Sequence, residues 1–110
     1  MAAPVTVDAL LDRVREIAPI IREHAASAER ERRLARPVVD AMVKTGLFRL
    51  WTPKAFGGLE VDPMTAFRVF EEVSRLDSAA GWNLQLATGV APNLAWFPDE
   101  GGCRDFQQDP

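Results

Sequence analysis

At 110 residues, with 47% hydrophobic and 26% charged side chains, the chain has the size and composition of one globular domain able to bury a core without staples. A net charge of -3 gives no electrostatic reason to expect nucleic acid, and a single cysteine, Cys103, excludes an internal disulfide framework and a cysteine-rich metal site. The N-terminal stretch MAAPVTVDALLDRVRE has early acidic residues and no long apolar run, so it does not read as a secretory signal, and a reducing cytoplasm is the expected setting.

A first helix is predicted over about 7–33. Thr6 suits its N-cap and Asp8 its first turn, where negative charge is favoured. Leu10, Leu11, Val14, Ile17, Ile21, Ala25 and Ala28 recur at three- and four-residue steps and form one apolar stripe. Charge then takes over, with Glu29, Arg30, Glu31, Arg32, Arg33 and Arg36, which reads as a solvated helix end with mixed-sign pairs. A phosphate-binding patch is the sharper alternative, weakened by the alternating acids.

Pro37 suits a new helix start, with Val38, Val39, Met42 and Val43 as its apolar face and Gly46 as its C′ glycine. Segment 46–62, GLFRLWTPKAFGGLEVD, is too apolar for a solvent-exposed connector. Leu47, Phe48, Leu50, Trp51 and Phe56 must fold back onto a core or cover a pocket. Gly57-Gly58 lacks the spacing of a phosphate loop and follows no strand, so a tight turn needing positive φ is the plainer reading.

Asp62-Pro63 is a strong helix start, after which Phe67, Phe70 and Val73 are expected to face inward and Glu71, Glu72 and Arg75 to face water. Asp77 can cap a fourth helix, SAAGWNLQLATGVAPNLAWF, which Pro92 should kink or interrupt; Pro98 could open a short fifth. Segment 78–98 carries no charged side chain and approaches spanning length, but Asn83, Gln85, Thr88 and Asn93 would be costly in lipid, so a buried helix is expected and no membrane span. The fold expected is all-α, of four or five helices, with the apolar loop 46–62 lying against them.

No self-contained catalytic constellation is visible. His24 has Ile20, Ile21, Ser27 and Ala28 as its helix-face neighbours and reads as a surface or packed histidine; Cys103 has no histidine partner. In the uncharged helix, Trp82 and Leu86 read first as core, one turn apart. The functional alternative makes that helix one wall of an apolar pocket.

The order TGLF, then WTPKAFGGLEVDPMTAFRVFEEVSRLDSAAGWNL, resembles the N-terminal helical domain of the acyl-CoA dehydrogenase superfamily. The PKAFGG turn at 53–58, Glu71-Glu72-Val73 and the Asp77-Ser78 helix start carry the resemblance, and it covers essentially the whole chain. It implies one N-terminal helical domain over 1–110, with a middle β domain and a C-terminal four-helix bundle lying outside it. The resemblance further implies that the carboxylate base and most flavin contacts belong to those later domains. No catalytic residue is therefore assigned, FAD or FMN is expected in the complete enzyme, and no tight binding to this chain alone.

The resemblance implies a small-molecule substrate, a homo-oligomer (dimer or tetramer), no metal, and a pocket wall formed by Trp82, Leu84, Gln85, Thr88 and Val90. The main reading is α,β-dehydrogenation of an acyl thioester. The alternative is the two-component flavin-dependent monooxygenase branch, which the S-A-A-G-W form resembles and which acts on aromatic or polycyclic substrates. Members of that branch often carry a histidine about two turns beyond the tryptophan, where this chain has Thr88-Gly89-Val90-Ala91; that departure favours the dehydrogenase reading. A stand-alone helical interaction module that dimerises through its apolar faces is the third reading.

Overall fold

A computed structural model describes residues 5–90 of the chain. Among them are four α-helices and no strand: α1 (Val7–Glu31), α2 (Arg36–Lys44), α3 (Pro63–Leu76) and α4 (Ser78–Val90). The expected all-α class is observed. The Pro92 kink, the short fifth helix and Cys103 lie outside the described residues.

Each helix start has a local chemical cause. The Thr6 hydroxyl accepts from the Ala9 N–H at 3.2 Å. The Asp62 carboxylate accepts from the Thr65 N–H at 3.3 Å and from the Thr65 hydroxyl, and these two bonds hold its pKa below the usual carboxylate value. Asp77 accepts from the Ala80 N–H at 3.3 Å. Helix α2 starts without a side-chain cap and leans instead on Pro37 in its first turn. Its end is closed by the Thr45 hydroxyl, which donates to the Ala41 carbonyl at 2.9 Å, and by Arg13, whose guanidinium donates to the Thr45 carbonyl at 3.2 Å.

Helix α1 buries Leu10, Leu11, Val14, Ile17, Ile21 and Ala28, the stripe read from the sequence, with Ala25 half-buried. It passes through Pro19, which has no N–H to offer the preceding turn. It stops two residues before the expected end, at Arg32, whose φ of 57° turns the chain. Among the described residues the charged segment beyond Ala28 holds one ion pair, Arg36–Asp40 at 3.1 Å, rather than a ladder of them.

The core joins Leu10, Val14, Ile17 and Ile21 of α1 to Val38 and Met42 of α2, Val69, Phe70 and Val73 of α3, and Leu84 of α4. The apolar loop completes it. Two 3-10 turns, Leu47–Arg49 and Lys54–Phe56, fold the segment so that Leu47, Leu50 and Phe56 are buried. Backbone bonds Leu59 N–H to Arg49 carbonyl (2.9 Å) and Val61 N–H to Leu50 carbonyl (2.8 Å) tie its two halves together. Gly57 has φ of 82°, and at Gly58 a Cβ would collide with the Thr52 carbonyl, so the pair is a tight turn in which one glycine supplies the angle and the other the room.

Four apolar assignments are corrected. Val43 is 38% exposed because it lies beside the α2 stripe that Val38 and Met42 occupy. Phe67 is 48% exposed: Ala66, Val69, Phe70 and Val73 form the inward stripe of α3 and Phe67 stands at its margin. Trp82 and Leu86 are 61% and 51% exposed, so neither belongs to the core.

Candidate functional site

Helix α4 contains no charged side chain, so nothing in its sequence marks a water-facing side. Within the described residues it nevertheless has two faces. Ala80, Gly81, Leu84 and Thr88 point into the bundle, while Trp82, Asn83, Gln85, Leu86, Gly89 and Val90 are exposed. The structure therefore divides the five wall residues. Leu84 and Thr88 lie inward, one turn apart and fully buried; Trp82, Gln85 and Val90 lie outward, Val90 at 64% exposure. Leu86 joins Trp82 and Val90, at four-residue steps, in an exposed apolar stripe of a helix that carries no charge.

A second apolar surface is built by the loop and α3. Trp51 meets Phe67 and Phe70 edge-on, with ring centroids at 5.9 and 5.6 Å. Beside it is an open concavity of about 350 Å³ lined by Trp51, Glu60, Val61 and Pro63. Met64, one turn before Phe67, is 66% exposed. Sequence reasoning missed Met64 and placed Phe67 inside; the signal available was the step from Met64 to Phe67, which sets both beside the Ala66–Val69–Phe70–Val73 stripe.

Two buried hydroxyls, those of Thr52 and Thr88, have no hydrogen-bond partner among the described residues. Thr88 places its hydroxyl on the inner side of the uncharged helix, where an unsatisfied polar group is costly. His24 is half-buried on α1, and no cluster of three or more His, Cys, Asp or Glu side chains that could hold a metal ion exists among the described residues. No helix among them is long and apolar enough to cross a membrane.

A strand-free layer of helices with an uncharged helix presenting tryptophan, leucine and valine outward is a helical domain of the kind that other protein or a ligand covers. The chain belongs to the acyl-CoA dehydrogenase N-terminal domain family, whose model, "Acyl-CoA dehydrogenase, N-terminal domain", matches residues 6–100. It is 37% identical over 82 residues to indole-3-acetate monooxygenase of Pseudomonas putida, a match that covers 74% of this chain and 20% of the relative. To the oxygenase component of p-hydroxyphenylacetate 3-hydroxylase of Acinetobacter baumannii it is 36% identical over 101 residues, covering 92% of this chain and 24% of the relative. To the oxygenase subunit HsaA, a flavin-dependent monooxygenase of Mycobacterium tuberculosis, it is 31% identical, covering 92% of this chain and 26% of the relative. The chain thus spans a quarter or so of the length of the curated relatives it matches. No solved structure matches it.

The family and the all-α fold read from the sequence both stand. Between the two branches, the relatives favour the monooxygenase alternative over the dehydrogenase reading.

Proposed function

We propose that this chain is the N-terminal helical part of the oxygenase component of a flavin-dependent monooxygenase that hydroxylates an aromatic substrate. What carries the reading is the match, over nine-tenths of the chain, to relatives named as oxygenase components or subunits of such enzymes. The outer face of α4 supports a role for this region as an apolar wall. Trp82, Leu86 and Val90 give it area and Gln85 gives it a neutral hydrogen-bonding group, the composition expected against an aromatic ring.

The Gly57-Gly58 turn is closed by the Thr52 backbone and opens no phosphate-binding concavity. The flavin, FAD or FMN, would be held chiefly by parts of the protein outside residues 5–90, and no catalytic step is assigned to the residues described. Reduced flavin supplies the activation of dioxygen in this class of chemistry; the share of this domain is packing, orientation and exclusion of water. Assembly as a homo-oligomer belongs to the same reading.

The test is expression of the coding sequence through to its stop codon, followed by supply of chemically reduced FAD or FMN in air with phenolic and indolic acids. Formation of a product one oxygen atom heavier is expected. Acyl thioester-dependent reduction of an artificial electron acceptor, with no hydroxylated product from any aromatic, would overturn the reading in favour of the dehydrogenase branch.

A further inference from the structure

The wall proposed for α4 leaves unused the densest run of charge in the chain, segment 29–36. Its members differ in what they touch. Arg36 is committed to Asp40 at 3.1 Å. Arg32 and Arg33 have no ion-pair partner among the described residues. Both line a concavity of about 360 Å³ between the end of α1 and the first turns of α4, together with Glu29, Leu34, Ala79 and Asn83. Two guanidiniums against one carboxylate leave this small space net positive in a chain whose overall charge is -3.

Arg32 occupies an unusual backbone position. Its φ of 57° and ψ of 32° lie in the left-handed region, at the helix-ending site where glycine or asparagine is the ordinary occupant. The turn itself needs only backbone: the N–H groups of Arg32 and Arg33 both donate to the Ala28 carbonyl. Neither guanidinium takes part in a hydrogen bond that holds the turn; their charge suits the C-terminal end of α1, and their donor groups stay unpaired among the described residues. Leu34, the next residue, lines the same concavity, and its backbone N–H has no acceptor among the described residues. One N–H of the Asn83 side-chain amide is given to the Ala79 carbonyl at 2.8 Å, which leaves its second N–H uncommitted.

We propose that this concavity binds a phosphate or pyrophosphate group, with Arg32 and Arg33 as its ligands. The planar fork of a guanidinium matches phosphate oxygens bidentately, and two forks at one concavity suit a doubly charged group better than a single carboxylate. Glu29 repels an anion and so limits affinity, while the two arginines, which carry donors and no acceptor, favour an anion over neutral and cationic ligands. The proposal is independent of the reaction assigned above.

The experiment is calorimetric titration of the full chain with pyrophosphate, inorganic phosphate and adenosine diphosphate at constant ionic strength. Saturable binding is expected, weakened about tenfold by Arg33→Gln, as for loss of a charge-assisted bidentate contact. Arg32→Gly should weaken binding to a similar extent while raising the thermal midpoint of the ligand-free chain, because glycine relieves the left-handed angle. That pair of opposite effects is one that a merely structural arginine would not produce. Arg15→Gln, at an exposed site paired with Asp12, should leave binding unchanged. Tighter binding of adenosine diphosphate than of pyrophosphate would assign the group to a nucleotide; equal binding would assign it to the free anion. No saturable binding by the unaltered chain, or equal weakening by Arg15→Gln and Arg33→Gln, would overturn the proposal.

Discussion

Helices α1 and α4 solve the same problem with opposite compositions. Over its 25 residues α1 separates an apolar stripe from faces that carry charge, including the Asp12–Arg15 pair at 2.6 Å. Helix α4 has 13 described residues and no charge, buries Leu84 and Thr88, and leaves Trp82, Leu86 and Val90 outside. In α1 the boundary between core and water is written in the period of the sequence. In α4 it is not, because a helix that is apolar all round is suited to burial on every side, and the described residues fill only one.

If the inward faces of the two helices belong to one core, truncating either should cost alike. Leu10→Ala and Leu84→Ala, both at fully buried positions, are each expected to destabilise by about 2–5 kcal/mol in urea unfolding. A cost below about 1 kcal/mol for Leu84→Ala alone, small for a buried leucine, would break the comparison by showing that α4 is not docked.

The contrast between faces can be sharpened with the two glycines of α4. At Gly81 an added Cβ would collide with the Ser74 hydroxyl, with the Ser74 Cβ at 2.8 Å and Cα at 2.9 Å close behind. Helix α3 approaches α4 too closely there for a methyl group, and Gly81→Ala should cost roughly 1–3 kcal/mol. At Gly89 an added Cβ meets nothing within 4 Å, so Gly89→Ala should instead gain up to about 1 kcal/mol of helix propensity. Opposite signs from the same substitution, read as shifts in thermal midpoint, are the expected result.

What could be read beforehand follows the same division. The caps at Thr6, Asp62 and Asp77, the stripe of α1 and the return of the apolar loop were legible, because each rests on contacts within a few residues or on a clear period. Phe67, Trp82 and Leu86 were misplaced, because hydrophobicity says that a side chain is suited to burial and does not say which surface buries it. The family was legible from the order of short segments around the PKAFGG turn. The branch was weighted toward the dehydrogenases because the chain has Thr88-Gly89-Val90-Ala91 where a histidine was sought; the relatives, compared over the whole length, favour the alternative. The split of the five wall residues between two faces was hidden for the reason that α4 has no polar side to orient it.

Thr88 tests the inner face more gently. Its hydroxyl is buried without a partner among the described residues, so Thr88→Val keeps the shape and removes a group they leave unsatisfied. A gain of about 1 kcal/mol in urea unfolding is expected. A loss instead would mean that the hydroxyl makes a bond in solution, and the inner face of α4 would then be polar in function as well as in composition.

The smallest effect on stability is expected on the outer face, and it separates surface from core most directly. Trp82→Gln and Leu86→Gln remove apolar groups that are more than half exposed, and each should change the unfolding free energy by no more than about 0.5 kcal/mol. The same substitutions should lower any self-association of the chain seen by sedimentation, since they erase the patch that water least favours. In the enzyme from the complete coding sequence they should raise KM for the aromatic substrate while leaving the thermal midpoint nearly unchanged. A large loss of stability from either would mean that Trp82 and Leu86 are held in a core after all, and that α4, like α1, has only one face to hide.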